Sequence, residues 1–301
     1  MYYPSGLFRQ KARAALKGHW QTALLIALIV NLPMLLMQGL SSFTGNDVFD
    51  RLQTLIISAS RDGRFTNQLL QDEIQAILKS TTFWILRGGD LLAWLITPCL
   101  SLGMNKWLMD RLRGQDGPVG TVFCRVRIFW KSVGLHLLVV LKILLWMLPG
   151  IALTAASMIP VFRAASSREQ LAMASTLNGL TPLALAAILV PGVMAALRYA
   201  LAEFIQADQP ETRVVECVRR SKKMTAGMRK TLFSMMLVFL LWYLAQMFIT
   251  SLLAGASAIL SLVIQMLAVL ALNVYMAGSL SAFYLQLSSG EPAAPENEEL
   301  N

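Results

Sequence analysis

The chain has 301 residues, 56% hydrophobic and 14% charged, with a formal net charge of +9 from 26 Lys and Arg against 17 Asp and Glu. A soluble domain carries about 25% charged residues, so this deficit argues against one and for a membrane protein. The basic residues cluster beside apolar runs, which points to anionic lipid headgroups as partners; no RRM, helix-turn-helix or zinc-finger pattern supports nucleic acid.

The first predicted element is a basic amphipathic helix, with Leu7, Phe8, Ala12 and Ala15 recurring at helical spacing beside Arg9, Lys11, Arg13 and Lys17. The apolar run over residues 20–37 is long for a signal-peptide core, and no convincing cleavage site follows it. It reads as a retained span over about 20–40. A loop over about 41–88, expected outside the cytoplasm, balances five basic residues with Asp47, Asp50, Asp62, Asp72 and Glu73. Its segments "NDVFDRLQTLIISAS" and "TNQLLQDEIQAIL" predict two short amphipathic helices separated by "RDGR". Five more spans are predicted over about 91–109, 132–155, 180–205, 231–253 and 260–285. Each is long enough, at about 1.5 Å per residue, to cross a hydrocarbon core of roughly 30 Å. Spanning segments must satisfy their own backbone, and the alternating pattern of a barrel is absent, so they are helices. The predicted fold class is all-α: a polytopic membrane bundle of six transmembrane helices over residues 1–287, then an acidic, disordered tail over 288–301.

Eighteen of the 26 Lys and Arg precede the first span or lie near the connections between spans two and three and spans four and five. Such an excess marks the cytoplasmic side, which puts both termini in the cytoplasm.

A unit of basic helix, glycine, then span recurs three times. The copies are "LFRQKARAALKGHWQTALLIALIV", "VFCRVRIFWKSVGLHLLVVLKIL" and "VVECVRRSKKMTAGMRKTLFSMMLVFLL". Each basic helix is expected to lie in the cytoplasmic membrane face, apolar side toward acyl chains and basic side toward headgroups. Gly18, Gly134 and Gly227 are expected to turn the chain into the span. In the third copy Asp208 and Glu211 form a candidate capping box with Pro210 in the first turn, so the helix is expected to begin near Gln209. Glu216 precedes Arg220 by four residues, the favourable ion-pair order.

Polar residues inside spans are the candidate functional positions. Lys142 stands about ten residues into the third span, where a charge costs roughly 2.5–3.5 kcal/mol on insertion scales. It either snorkels, pairs with Glu203 or a carbonyl, or serves a function. Arg198 and Glu203 lie near the cytoplasmic end of the fourth span, and Asn273 lies mid-way along the sixth, suited to a bond between helices. Pro191-Gly192 and Pro149-Gly150 interrupt spans four and three, as kinks or as broken, substrate-binding helices. Arg219, Arg220, Lys222 and Lys223 are the candidate contact with lipid or a protein partner. Three scattered cysteines and two histidines match no metal site, and no HExxH, GxSxG or Walker A sequence is present. No cofactor and no catalytic residue are expected.

The stretch over residues 191–244 resembles the DUF975 family of bacterial integral membrane proteins. Pro191-Gly192, Tyr199, Asp208 and Pro210, Ser221 through Met224, Gly227 and Trp242 carry the resemblance, with "RQKARAALKGHW" and "AFYLQL" nearer the termini. It implies a multi-pass topology and a bacterial cytoplasmic membrane, and it supplies no reaction. The expectation is a non-enzymatic accessory, scaffold or envelope-homeostasis component binding anionic lipid or a protein partner. The alternative is a small transporter with a pathway near spans three and four, which requires a cavity near Lys142 and Asn273.

Overall fold

Apolar runs without a strand-like alternation become helices, and no strand occurs among the described residues of the computed structural model, which are 4–43, 54, 67–163, 170–254 and 258–290. In chain order these are α1 Ser5–Leu16, α2 Trp20–Phe43, α3 Asn67–Lys79 and α4 Thr81–Leu112. A 3₁₀ segment, Val119–Ile128, leads into α5 Phe129–Arg163. There follow α6 Gln170–Tyr199, α7 Ala202–Asp208, α8 Val214–Met224, α9 Arg229–Ala254 and α10 Ala258–Ser289. Among the described residues, six stretches, in α2, α4, the 3₁₀ segment with α5, α6–α7, α9 and α10, are long and apolar enough to cross a membrane. Leu141, Leu145, Leu237, Leu241 and Phe248 are among the apolar side chains they expose. Such wide exposure of grease suits lipid as the surrounding solvent.

Several boundaries depart from the sequence pattern. The second span is part of a longer helix that starts at Thr81: Ser80 caps it, accepting from the Phe83 amide at 3.5 Å, and Arg87 pairs with Asp90 at 2.9 Å. The fourth does not break at Pro191-Gly192. Its helix runs through both and turns instead at Ala200–Leu201. Of the two helices expected in the first loop, the second is α3; the first lies outside the described residues apart from Thr54, and so does the tail beyond Gly290.

Up-and-down topology brings α1, the 3₁₀ segment, α7 and α8 to one end of the bundle. Lys11 Nζ donates to Gln286 Oε1 at 2.7 Å, Arg113 reaches Asp208 at 2.9 Å, and Arg125 donates to the Ala207 carbonyl. The core sits at this end too. Phe8 meets Phe283 edge-on, with ring centroids 5.1 Å apart, and Met109, Leu135, Leu201, Cys217 and Leu232 are buried in the same cluster. A second cluster joins Leu16, Ile26, Trp107, Val122 and Val274.

The first and third basic helices therefore do not lie with their apolar sides in lipid, whereas Phe123, Val126 and Trp130 of the second copy stay exposed. Phe8, Ala12 and Leu16 of α1, and Cys217, Val218 and Ser221 of α8, are buried against the bundle. The neighbouring helices offer a fixed apolar surface to each stripe. Nor are the three copies alike. Gly18 and Gly227 end α1 and the α8 turn at φ +82° and +86°, the left-handed region that glycine enters freely. Gly134 lies inside α5, and the residues ahead of it form a 3₁₀ segment rather than an α-helix. The physical reason is close packing. The Val122 carbonyl lies 1.9 Å from where a Cβ on Gly103 of α4 would stand, so the segment is held backbone to backbone.

Candidate functional site

The α8 helix has two faces. Val214, Cys217, Val218 and Ser221 follow helical spacing and turn inward, which leaves Arg219, Arg220, Lys222 and Lys223 exposed. Burial pushes the Glu216 carboxyl up, yet the hydrogen bonds from Arg219 and Arg220 outweigh it and hold that carboxyl below the usual glutamate range. Arg219 lies 2.5 Å from Glu216, and Arg220 donates to it at 3.1 Å and to Gln209 at 2.7 Å. Lys222 and Lys223 have no ion pair among the described residues. Burial raises the Cys217 thiol above its ordinary value, which keeps it protonated.

Asp208 does not cap α8. The helix starts six residues later, at Val214, with Arg213 at its N-cap. Asp208 ends α7 and accepts from Arg113 at 2.9 Å and from the Tyr284 hydroxyl at 3.0 Å, which ties α4, α7 and α10 together. A charged acceptor between two such donors is worth more there than at a helix terminus. Pro210 lies in the connection between α7 and α8, where its carbonyl accepts from Lys131 at 3.4 Å. Glu211 is within 4.0 Å of the same Lys131.

The turn at Ala200–Leu201 frees backbone groups, and α8 satisfies them. Ser221 Oγ donates to the Arg198 carbonyl at 3.0 Å and accepts from the Leu201 amide at 3.2 Å. The Arg198 guanidinium lies over the Trp146 ring, 4.3 Å from its centroid.

Glu203 is not the partner of Lys142. It faces His136 Nδ1 at 3.3 Å, while Lys142, half-buried two turns further along α5, has no partner among the described residues. His136 also stacks edge-on against Trp94. Asn273 accepts from the Tyr243 hydroxyl, a bond between α10 and α9. The two Pro-Gly pairs mark where α5 and α6 approach closely. A Cβ on Gly150 would stand 2.3 Å from the Ala187 carbonyl, and one on Gly192 would stand 3.1 Å from Met147.

A cavity of about 730 Å³ lies among α2, α4, α5, α6, α7, α9 and α10. Its walls are mostly apolar, with Val30, Met104, Ile143, Phe204 and Met276 among them. Asn31, Thr97, Ser101, Asn105, Tyr199, Glu203 and Asn273 supply polar groups, and Lys142 is not among the lining residues. Val193 of α6 and Phe233, Leu237 and Leu240 of α9 line it and are exposed, so it opens sideways between these helices. Asn31 and Thr97 spend hydrogen bonds on carbonyls one turn back. Asn105 differs: it is 4% exposed and has no hydrogen-bond partner among the described residues. Asn105, His136 and Tyr284 escape the sequence pattern because their roles depend on helix pairing; only the cost of an amide in an apolar run hints at Asn105.

The family model "Protein of unknown function (DUF975)" matches residues 1–291, so the chain belongs to that family. No curated protein and no solved structure matches the chain.

Proposed function

We propose that this protein is a non-enzymatic accessory or scaffold component of the bacterial cytoplasmic membrane, whose basic end faces the cytoplasm and holds anionic lipid headgroups. One observation carries this reading. Among the described residues, the end built around α1, the 3₁₀ segment, α7 and α8 gathers eighteen Lys and Arg against six acids, Asp110, Asp116, Glu203, Asp208, Glu211 and Glu216. Trp130, 81% exposed, and the exposed Phe123 and Val126 stand beside this charge, in keeping with an interfacial position. Each Lys or Arg near an anionic surface contributes about 1 kcal/mol.

The test is lipid retention by the purified protein, read by native mass spectrometry. Lys222→Gln with Lys223→Gln is expected to weaken phosphatidylglycerol binding by about 2 kcal/mol, or roughly thirty-fold. Arg219→Gln with Arg220→Gln is expected to do less, because Glu216 already offsets those charges. Unchanged retention in all four positions would sink the lipid reading, and loss of a co-purifying acidic protein instead would favour a protein partner. The cavity favours a second reading, a small transporter with its pathway at Glu203 and Asn273 rather than at Lys142. Cysteines placed at Asn105 and Asn273 that stay protected from aqueous thiol reagents would exclude it.

A further inference from the structure

We propose that the cavity binds a delocalised organic monocation with an aromatic body, which enters sideways from the bilayer between α6 and α9. Three independent features select that class.

The first is charge. Among the described residues lining the cavity, Glu203 is the one ionisable acid, and no Lys, Arg or His is present. Its Oε1 faces His136, and its Oε2 has no partner among the described residues. An anionic headgroup would meet the unpartnered Oε2 of that carboxylate, since His136 faces the other oxygen. A neutral acyl chain would fill the apolar walls but offer nothing to the free Oε2 of that carboxylate.

The second is aromatic lining. Tyr199, Phe204 and Phe233 contribute to the walls, and ring faces attract cations most strongly when the cation is desolvated. A delocalised cation sheds water easily, which suits a site with an apolar approach. The third is Asn105. It lines the cavity, is 4% exposed and bonds to no described residue, so its amide is open to a ligand or water inside the cavity. It would orient a polar group of the ligand. The volume falls within the range of about 300–1,000 Å³ typical of small-molecule sites.

Binding of the cation does not require that it be carried across the membrane. Binding without transport refutes the transporter reading alone, and Arg219, Arg220, Lys222 and Lys223, which do not line the cavity, play no part in it. The test is equilibrium dialysis of tetraphenylphosphonium against the full chain in detergent, with tetraphenylborate as an anion of the same shape. Saturable 1:1 binding with a Kd on the order of 1–10 μM is expected for the cation. Glu203→Gln is expected to weaken it about tenfold or more. Ala196→Leu adds bulk at a lining position and keeps the carboxylate, so it is expected to abolish binding. It decides the matter alone if the Glu203 variant does not stay monodisperse. Equal binding of tetraphenylborate, wild-type affinity in a folded Glu203→Gln or Ala196→Leu protein, or no saturable binding would each overturn the proposal.

Discussion

Replacing Asp208 by alanine separates two accounts of the same residue. As a helix cap it would contribute about 1 kcal/mol, independently of α4 and α10. As the acceptor between Arg113 and Tyr284 it should contribute more, and the effect should depend on both partners. A hydrogen bond to a charged group contributes about 1.5–3 kcal/mol. The Tyr284 bond, 3.0 Å long and made by a tyrosine that is 2% exposed, belongs in that range. The Arg113 side chain is 35% exposed and keeps Asp110 at 3.8 Å, so its share falls toward the roughly 0–1 kcal/mol of a surface pair. Asp208→Ala is then expected to cost about 1.5–4 kcal/mol. The assay is unfolding by titration with dodecyl sulfate in mixed micelles, run as double-mutant cycles. Asp208→Ala and Tyr284→Phe should couple by about 1.5 kcal/mol or more, and Asp208→Ala and Arg113→Gln by about 0.5–1. Coupling to Tyr284 below about 0.5 kcal/mol would mean that the aspartate acts locally and does not join the three helices.

Three further outcomes can be checked. Gly103→Ala would put a methyl carbon 1.9 Å from the Val122 carbonyl oxygen, forcing a shift of about 1.5 Å toward ordinary contact, so a loss of about 1–3 kcal/mol is expected in the same titration. Gly134→Ala, with open space inside α5, should stabilise by about 0.5–1 kcal/mol, whereas Gly227→Ala, with equal space but positive φ, should cost about 1–2; equal effects at the two would contradict the distinction. For Glu216 the folded-state carboxyl is held low, so its ion pairs contribute above the ordinary glutamate value of about 4.3 and are lost only as pH falls through the lower folded value. Carboxyl NMR titration should show its midpoint rising in an Arg219→Gln, Arg220→Gln protein.

The spans were legible because crossing a membrane is a one-dimensional constraint. Length, apolarity and the scarcity of charge are all local, and α2, α9 and α10 follow them within a few residues, while α5 continues eight residues past the expected end. Glu216 with Arg220 was legible for the same reason, since helical spacing alone brings the pair together. Asp208 was not. The run Asp208, Pro210 and Glu211 has the spacing of a capping box, and only the packing of α7 between α4 and α10 directs the aspartate elsewhere. Gly134 shows the opposite failure: the three copies share a pattern of residue types, yet contact between Gly103 and Val122 holds the second in a different backbone.

Helix α8 makes the same point from the site outward. Its composition announces a surface helix, and that describes Lys222 and Lys223. On the other side of the same turn, Ser221 is fully buried and supplies both bonds that the turn at Ala200–Leu201 lacks. Tyr199, Ala200 and Glu203, which flank that turn, line the cavity. One short helix thus carries the exposed charge and holds the backbone that shapes the cavity wall. Periodicity assigns the serine within "RRSKK" to the inward face, but its partners, the Leu201 amide and the Arg198 carbonyl, come from twenty or more residues earlier. A local pattern can say which way a side chain points; what it meets there depends on tertiary packing.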